Sequence, residues 1–195
     1  GANAIGVVSS DDKKDHVLGL GAKGVINRKD FNCWGQLPTV NGPEFNDYMK
    51  ESRKFGKAIW EHTGKQDVDI VFEHPGESTF PVSVFVVKRG GMVVICAGTT
   101  GFNLTMDARF LWMRQKRVQG SHFAHLKQAS AANQLVINRR IDPGMSEVFT
   151  WDQIPAAHDK MLDNKHLPGN MAVLVTSPKP GLRTVEDVLE VSGQI

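Results

Sequence analysis

The chain of 195 residues has no long apolar run: its most hydrophobic stretches, MVVICA at 92–97 and MAVLV at 171–175, fall far short of a bilayer span, which takes roughly 20 residues. Its opening, GANAIGVVSS, lacks the basic region and extended apolar block of a secretion signal. Cysteine is scarce. Cys33 and Cys96 cannot build a disulfide framework, and without a Cys-x-x-Cys pair there is no zinc site of that kind. Both thiols are read as buried or half-buried groups in a reducing compartment. An excess of one charge is missing too: 23 basic and 21 acidic residues leave a net charge of +2, too little for the broad cationic surface that nucleic acid or an anionic membrane favours. These absences predict a soluble, cytoplasmic protein with no metal and no nucleic-acid or membrane partner. Any anionic ligand must be met by a local cluster.

What is present is alternation. AIGVVSS (4–10) reads as a strand, DDKKDHVLGLGA as a helix closed near Gly21, and KGVIN (23–27) as the next strand. A stretch with Trp34, Gly35, Pro38, Gly42 and Pro43 predicts an irregular surface insertion. A helix is predicted over 45–62 and a strand over VDIVFEH (68–74). Residues 78–91, STFPVSVFVVKRGG, have strand composition, yet their place between two strands predicts a helix ending in the basic-glycine run. MVVICAGTTG follows as strand and turn, ARFLWMRQ as a short helix, RVQGSH as a strand, and 124–138 as a helix. Beyond Arg140 the pattern predicts an edge strand in IDPGMSEVFTW, a helix from Pro155, a strand in NMAVLVTS and a short helix in TVEDVLEV. Apolar strands alternating with helices imply parallel strands, because only those need crossovers and are covered on both faces. The expected fold class is therefore α/β, a doubly wound parallel (Rossmann) domain over 1–140, followed by a piece of a second, catalytic domain over 141–195.

In such a sheet the crevice lies beyond the carboxyl ends of the strands. Those ends read Ser9-Ser10, Asn27, Glu73-His74-Pro75-Gly76, Ala97-Gly98-Thr99-Thr100 and Gly120-Ser121-His122. Hydroxyls of Ser9 and Ser10, a helix start, and the ammonium groups of Lys13 and Lys14 form a compact site for a phosphate. A dinucleotide fold usually has an acidic residue there for the ribose diol; serines followed by lysines suit the 2′-phosphate of NADP. The alternative is Ser10 as a helix cap with the lysines solvated. The glycines of the 97–101 turn let a cofactor approach the backbone, or simply make a tight turn. G-x-G-x-x-G is absent, so if AIGVVSS is the second strand, the first strand and its helix are expected upstream of Gly1. Arg109, Arg114, Lys116 and Arg117 around Trp112, and Arg53, Lys54 and Lys57, are basic groups that are either solvated faces or holders of phosphates.

The segments GAKGVINRKDFNCWGQLP, FGKAIW, DIVFEHPGESTFPVS, RGGMVVICAGTTGFN, RFLWMRQKRVQGSHFAHLKQA and GNMAVLV resemble the crotonyl-CoA carboxylase/reductase family, in the zinc-free enoyl-reductase branch of the medium-chain dehydrogenase/reductases. The likeness runs from Ala4 to about Leu189, and FEHPG and GSHFAH are its most specific motifs. It implies that NADPH delivers hydride to the β-carbon of an enoyl-CoA and that the enolate attacks CO2 through its α-carbon, giving an alkylmalonyl-CoA such as ethylmalonyl-CoA from crotonyl-CoA. By the same likeness His122 lies in the CO2 pocket, Ser9, Ser10, Lys13 and Lys14 hold the 2′-phosphate, and His74, Ala97, Gly98 and Thr99 line the cofactor. Arg109 contacts the CoA phosphates, with Lys57 a second such contact, and the assembly is a homotetramer completed by an amino-terminal remainder. His125 is not fixed by the motif and is read as a capping or packing residue. The remaining CO2-pocket residues of the family, an Asn and a Phe-Glu pair, belong to that remainder. Two other readings stand beside this one: an enoyl-CoA reductase that does not carboxylate, like the acryloyl-CoA reductase domain of propionyl-CoA synthase, and a non-catalytic nucleotide-binding protein on the same fold.

Overall fold

The computed structural model describes residues 1–182 and 185–193 and divides into two compact units, Gly1–Phe123 and Ala124–Ile195. In the first unit β1 (Ile5–Val8) and β2 (Gly24–Asn27) pair in parallel, Val8 opposite Asn27. A 3-10 turn at Asp11–Lys13 and helix α1 (Lys14–Gly19) make the crossover that parallel pairing requires. Helix α2 (Phe45–Thr63) then leads to a second parallel sheet of β3 (Val68–Glu73), β4 (Val87–Ile95) and β5 (Arg117–Gly120), in that order. Its crossovers are α3 (Phe80–Val86) and α4 (Ala108–Trp112). Phe45, Tyr48, Met49, Ser52, Phe55 and Ile59 recur at helical spacing and are the buried face of α2. That face, with Ile26, Val82 and Val86, forms the main core; Phe80, Val84, Val87 and Val93 form a second cluster under β4.

β1 and β3 each keep one free edge, and a groove of about 1280 Å3 lies between them, lined by Ile5 and Val7 on one side, 68–75 on the other, with Phe55, Ile59 and Val82 also lining it. Ile70 and Phe72 are 62% and 70% exposed along that edge. The strands on either side of the groove form two separate parallel sheets, β1-β2 and β3-β4-β5, with helices as their crossovers.

Four expectations need correction. The irregular stretch after β2 is not a surface insertion: Phe31 and Cys33 are 8% and 1% exposed, and Phe31 and Trp34 meet the Phe55 ring edge-on at 5.3 and 5.2 Å. Aromatic burial outweighs the turn-forming residues around it. Cys33 is buried as expected, and desolvation pushes its thiol up to about 12, while Cys96 is exposed. The helix expected over 78–91 stops at Val86: Val87 already pairs with Val68, and Lys88, Arg89, Gly90 and Gly91 belong to β4, where the register jumps to Ile70 opposite Met92. The β-branched run could serve either element, and pairing with β3 decided its second half.

Lys116 is not part of a solvated basic face. Its Nζ donates to the carbonyls of Val84 and Phe85, both at 2.8 Å, closing the end of α3 where the chain turns into β4. Burial pushes this ammonium down to about 8 from its ordinary 10.5. The unfolded chain therefore binds the extra proton between those two values, and stability contributed at this site rises with pH across that window. The unfolding midpoint of the protein relative to its Lys116→Met variant is expected to climb between about pH 7.5 and pH 10. A pH-independent difference would remove the buried charge from this account.

In the second unit α5 (Leu126–Ile137) is followed by the parallel pair β6 (Met145–Phe149) and β7 (Asn170–Val173), bridged by α6 (Ile154–Leu162) with Pro155 in its first turn. Glu147 ties these together, pairing with Lys160 and accepting the Leu167 N–H at 2.7 Å. Helix α7 (Val185–Ser192) covers most of the predicted TVEDVLEV helix, whose Thr184 lies outside the described residues. His125 caps α5: its Nδ1 accepts the Gln128 N–H at 3.3 Å while the Gln128 side chain accepts the His125 N–H at 3.1 Å. The capping reading of His125 holds.

Candidate functional site

Register places the chemistry. Glu73 pairs with Ile95 and Ile95 with Gly120, so the three strands end level and release 74–76, 96–101 and 121–123 from one edge. Neighbouring strands lie about 4.8 Å apart, so the outer two of these exits are about 10 Å apart. Val8 and Asn27 likewise end level and release Ser9 and the turn that carries Lys13.

At the ends of β1 and β2 the residues named from sequence come together with Asn27, quoted there only as a strand end, and with Asp11, which the sequence reading gave no role. Lys13 Nζ donates to Ser9 Oγ at 3.3 Å. Lys14 does not stand free beside it: its ammonium pairs with Asp11 at 2.7 Å, and Asn27 Nδ2 donates to the same carboxylate oxygen at 3.1 Å. The Lys14 hydrogen bond, seconded by Asn27, holds the Asp11 carboxyl below its ordinary value, and Asp11 raises the Lys14 ammonium. Ser10 occupies the cap position of the turn, yet its side chain makes no capping bond. The cap half of the alternative fails, whereas Lys13 is exposed to solvent and, among the described residues, its ammonium bonds only to Ser9.

The turns after β3 and β4 interlock. The Pro75 carbonyl accepts both the N–H and the hydroxyl of Thr100, each at 2.8 Å, and Gly101 O accepts the Glu77 N–H at 3.2 Å. Thr100 Oγ1 in turn accepts the Ser78 N–H at 3.0 Å. Gly76 has φ +88°, and a Cβ there would stand 2.7 Å from Gly101 O and 2.9 Å from the Gly98 Cα. Two backbones approach so closely that only glycine fits. His74 and Thr99 are exposed on these turns, Ala97 and Gly98 half-buried. Such a glycine-lined surface of backbone amides fits the flat, polar ribose and nicotinamide portion of a dinucleotide.

His122 follows β5, with the Ser121 N–H bound to Ile95 O at 2.8 Å. Its ring is exposed and lies 4.0 Å from that of Phe123, which has φ +51° and is 91% exposed. A bulky residue in left-handed backbone is an outlier that tends to occur at sites. Arg109 is held by Asp107: Nε and Nη2 contact the buried carboxylate at 2.7–3.1 Å, leaving Nη1 to meet a ligand. Lys57 is exposed on α2, whose buried face carries Phe55 and Ile59. The residue that sequence reasoning passed over is Glu73, quoted as a strand end but given no role. Its partners Gly76, Thr79 and Ser83 are local in sequence, and the FEHPG motif was its only signal.

The fold model of zinc-binding dehydrogenases matches residues 1–138. The chain is 74% identical over 191 residues to the crotonyl-CoA carboxylase/reductase of Cereibacter sphaeroides, a match covering 97% of this chain and 44% of that protein. Among solved structures, a crotonyl-CoA carboxylase/reductase superposes with a TM-score of 0.90 at 74% identity, over 98% of this chain and 45% of the other. The crotonyl-CoA carboxylase/reductase AntE in complex with NADP superposes with a TM-score of 0.85 at 44% identity, over 90% of this chain and 44% of the other. The chain thus spans less than half the length of these relatives. Among the described residues no three His, Cys, Asp or Glu side chains group as metal ligands would. By its match over 1–138 and its parallel strand order, the chain belongs to the zinc-binding dehydrogenase family of the medium-chain dehydrogenase/reductases.

Proposed function

We propose that this chain is the coenzyme-binding portion of an NADPH-dependent crotonyl-CoA carboxylase/reductase, converting an enoyl-CoA and CO2 to an alkylmalonyl-CoA. The observation that carries this is the common edge: the glycine-lined double turn and His122 leave level strand ends, so a dihydronicotinamide on the first lies within reach of a reaction at the second. The 74% identical relative supports the substrate class.

Ser9 and Lys13 receive the 2′-phosphate, and Ser10 and Lys14 stand beside it with the Lys14 charge shared by Asp11. Backbone amides of Ala97, Gly98 and Thr99, with His74, orient the nicotinamide ribose. The coenzyme, once bound, supplies the hydride to the β-carbon. His122, presented on the left-handed Phe123 turn, holds CO2 directly or through a water at the α-carbon. Arg109, steadied by Asp107, offers Nη1 to a CoA phosphate, and Lys57 is a second anchor. Protonation of the enolate competes with CO2 capture, so water must be kept out. Since His122 is exposed in this chain, bound acyl-CoA and the amino-terminal remainder supply that cover. Cytoplasmic location and a homotetramer belong to the same proposal.

Intact enzyme given crotonyl-CoA, NADPH and labelled bicarbonate is expected to incorporate one label per NADPH oxidised. Oxidation without label would establish a non-carboxylating reductase; binding of NADPH without oxidation would establish a non-catalytic nucleotide binder. In the His122→Asn variant carboxylation should fall about tenfold more than reduction, the loss of roughly one hydrogen bond to a developing charge. Equal losses in both would remove His122 from the CO2 step.

A further inference from the structure

Glu73 is 2% exposed at the carboxyl end of β3, and among the described residues it joins no ion pair. A buried carboxylate without a cation is costly unless hydrogen bonds replace its water. Three do. One oxygen accepts the Gly76 N–H at 3.0 Å and the Thr79 hydroxyl, and the other accepts the Ser83 hydroxyl. The donors come from the turn after β3 and from the start and middle of α3, so the carboxylate pins that turn down onto the helix. The Glu73 carbonyl meanwhile accepts the Cys96 N–H at 3.2 Å, joining the root of the next turn. A valine or leucine would satisfy a core position here, but it would leave the Gly76 N–H and two hydroxyls without partners.

We propose that Glu73 is a positioning residue for the coenzyme: its carboxylate fixes the height of the 74–76 turn, and through the Pro75–Thr100 and Glu77–Gly101 bonds also that of the 97–101 turn. The inference rests on the coenzyme reading above. It assigns Glu73 to the nicotinamide half of the molecule alone, because the adenosine phosphate is met by Ser9 and Lys13 on a different pair of strands.

The intact enzyme and its Glu73→Gln and Ser83→Ala variants are titrated with NADPH and, separately, with adenosine 2′,5′-bisphosphate, which carries only the adenosine half; unfolding midpoints are measured in parallel. Glutamine keeps the volume and loses the charge. It is expected to raise the Kd for NADPH about tenfold, the scale of a weakened hydrogen-bond set to a charged group, while the Kd for the bisphosphate stays unchanged. Ser83→Ala should do the same more weakly, about threefold. A merely structural role would weaken both ligands together. Equal weakening of both, or unchanged NADPH affinity in a folded variant, overturns the inference and leaves the coenzyme reading intact. Should Glu73→Gln fail to fold, Ser83→Ala decides by the same comparison. A wild-type enzyme that binds neither ligand overturns the coenzyme reading, and this inference with it.

Discussion

Gly76→Ala is expected to destabilise the protein by about 2–4 kcal/mol and to abolish tight coenzyme binding. Two costs add at this position. Left-handed backbone at φ +88° penalises any side chain, by roughly 1–2 kcal/mol. The new methyl would also stand 2.7 Å from Gly101 O and 2.9 Å from the Gly98 Cα, both backbone atoms of a turn already bonded to its neighbour. One turn must lift off the other, and the shared surface proposed for the nicotinamide ribose is lost with it. Gly64 provides the control. It caps α2 at φ +68° with open space around its missing Cβ, so Gly64→Ala should cost only the backbone part, about 1 kcal/mol, and leave NADPH affinity alone. Urea unfolding and fluorescence titration of the two variants separate the terms. Equal losses at both sites would mean the two turns are not in contact.

Lys13→Ala is expected to raise the Kd for NADPH about tenfold and to leave NADH binding unchanged, since only NADPH carries the 2′-phosphate. The effect should shrink as salt is added, because the site is open to solvent. Lys14 behaves differently. Its ammonium is shared with Asp11 at 2.7 Å, so Lys14→Ala both removes a cation and bares a carboxylate. Asp11→Asn works in the opposite sense: it releases Lys14 toward the phosphate and should tighten NADPH by about threefold. A sequence that merely counted two lysines would predict no effect of Asp11. An Asp11→Asn variant with unchanged or weaker NADPH affinity would show that the pair is not part of the phosphate site.

Much of the architecture was legible from local pattern. Apolar strands alternating with amphipathic helices implied parallel pairing, and the strand ends could be read off before any pairing was known. Strand ends are local features, set by where an apolar run meets serine, glycine or proline. The exceptions are also instructive. In 78–91 the same β-branched residues suited a helix or a strand, and only the presence of Val68 across from Val87 settled where one ended and the other began. In the stretch after β2, glycine and proline described the backbone correctly as irregular, but not that Phe31, Cys33 and Trp34 pack against α2. Lys116, one basic residue among several in the chain, became a helix cap because α3 happens to end beside it.

By itself the sequence determined most of the element types, the strand ends and the family likeness, because each depends on residue kind and short spacing. The tertiary structure alone decided which charges are free, which turns touch, and why a buried acid stands at Glu73. Some of those outcomes join residues far apart in the chain, as at Gly76 and Gly101, and others, as at Glu73 or Lys14, join near neighbours; both depend on electrostatic and steric energies that change over a few ångströms, which no spacing in a sequence records.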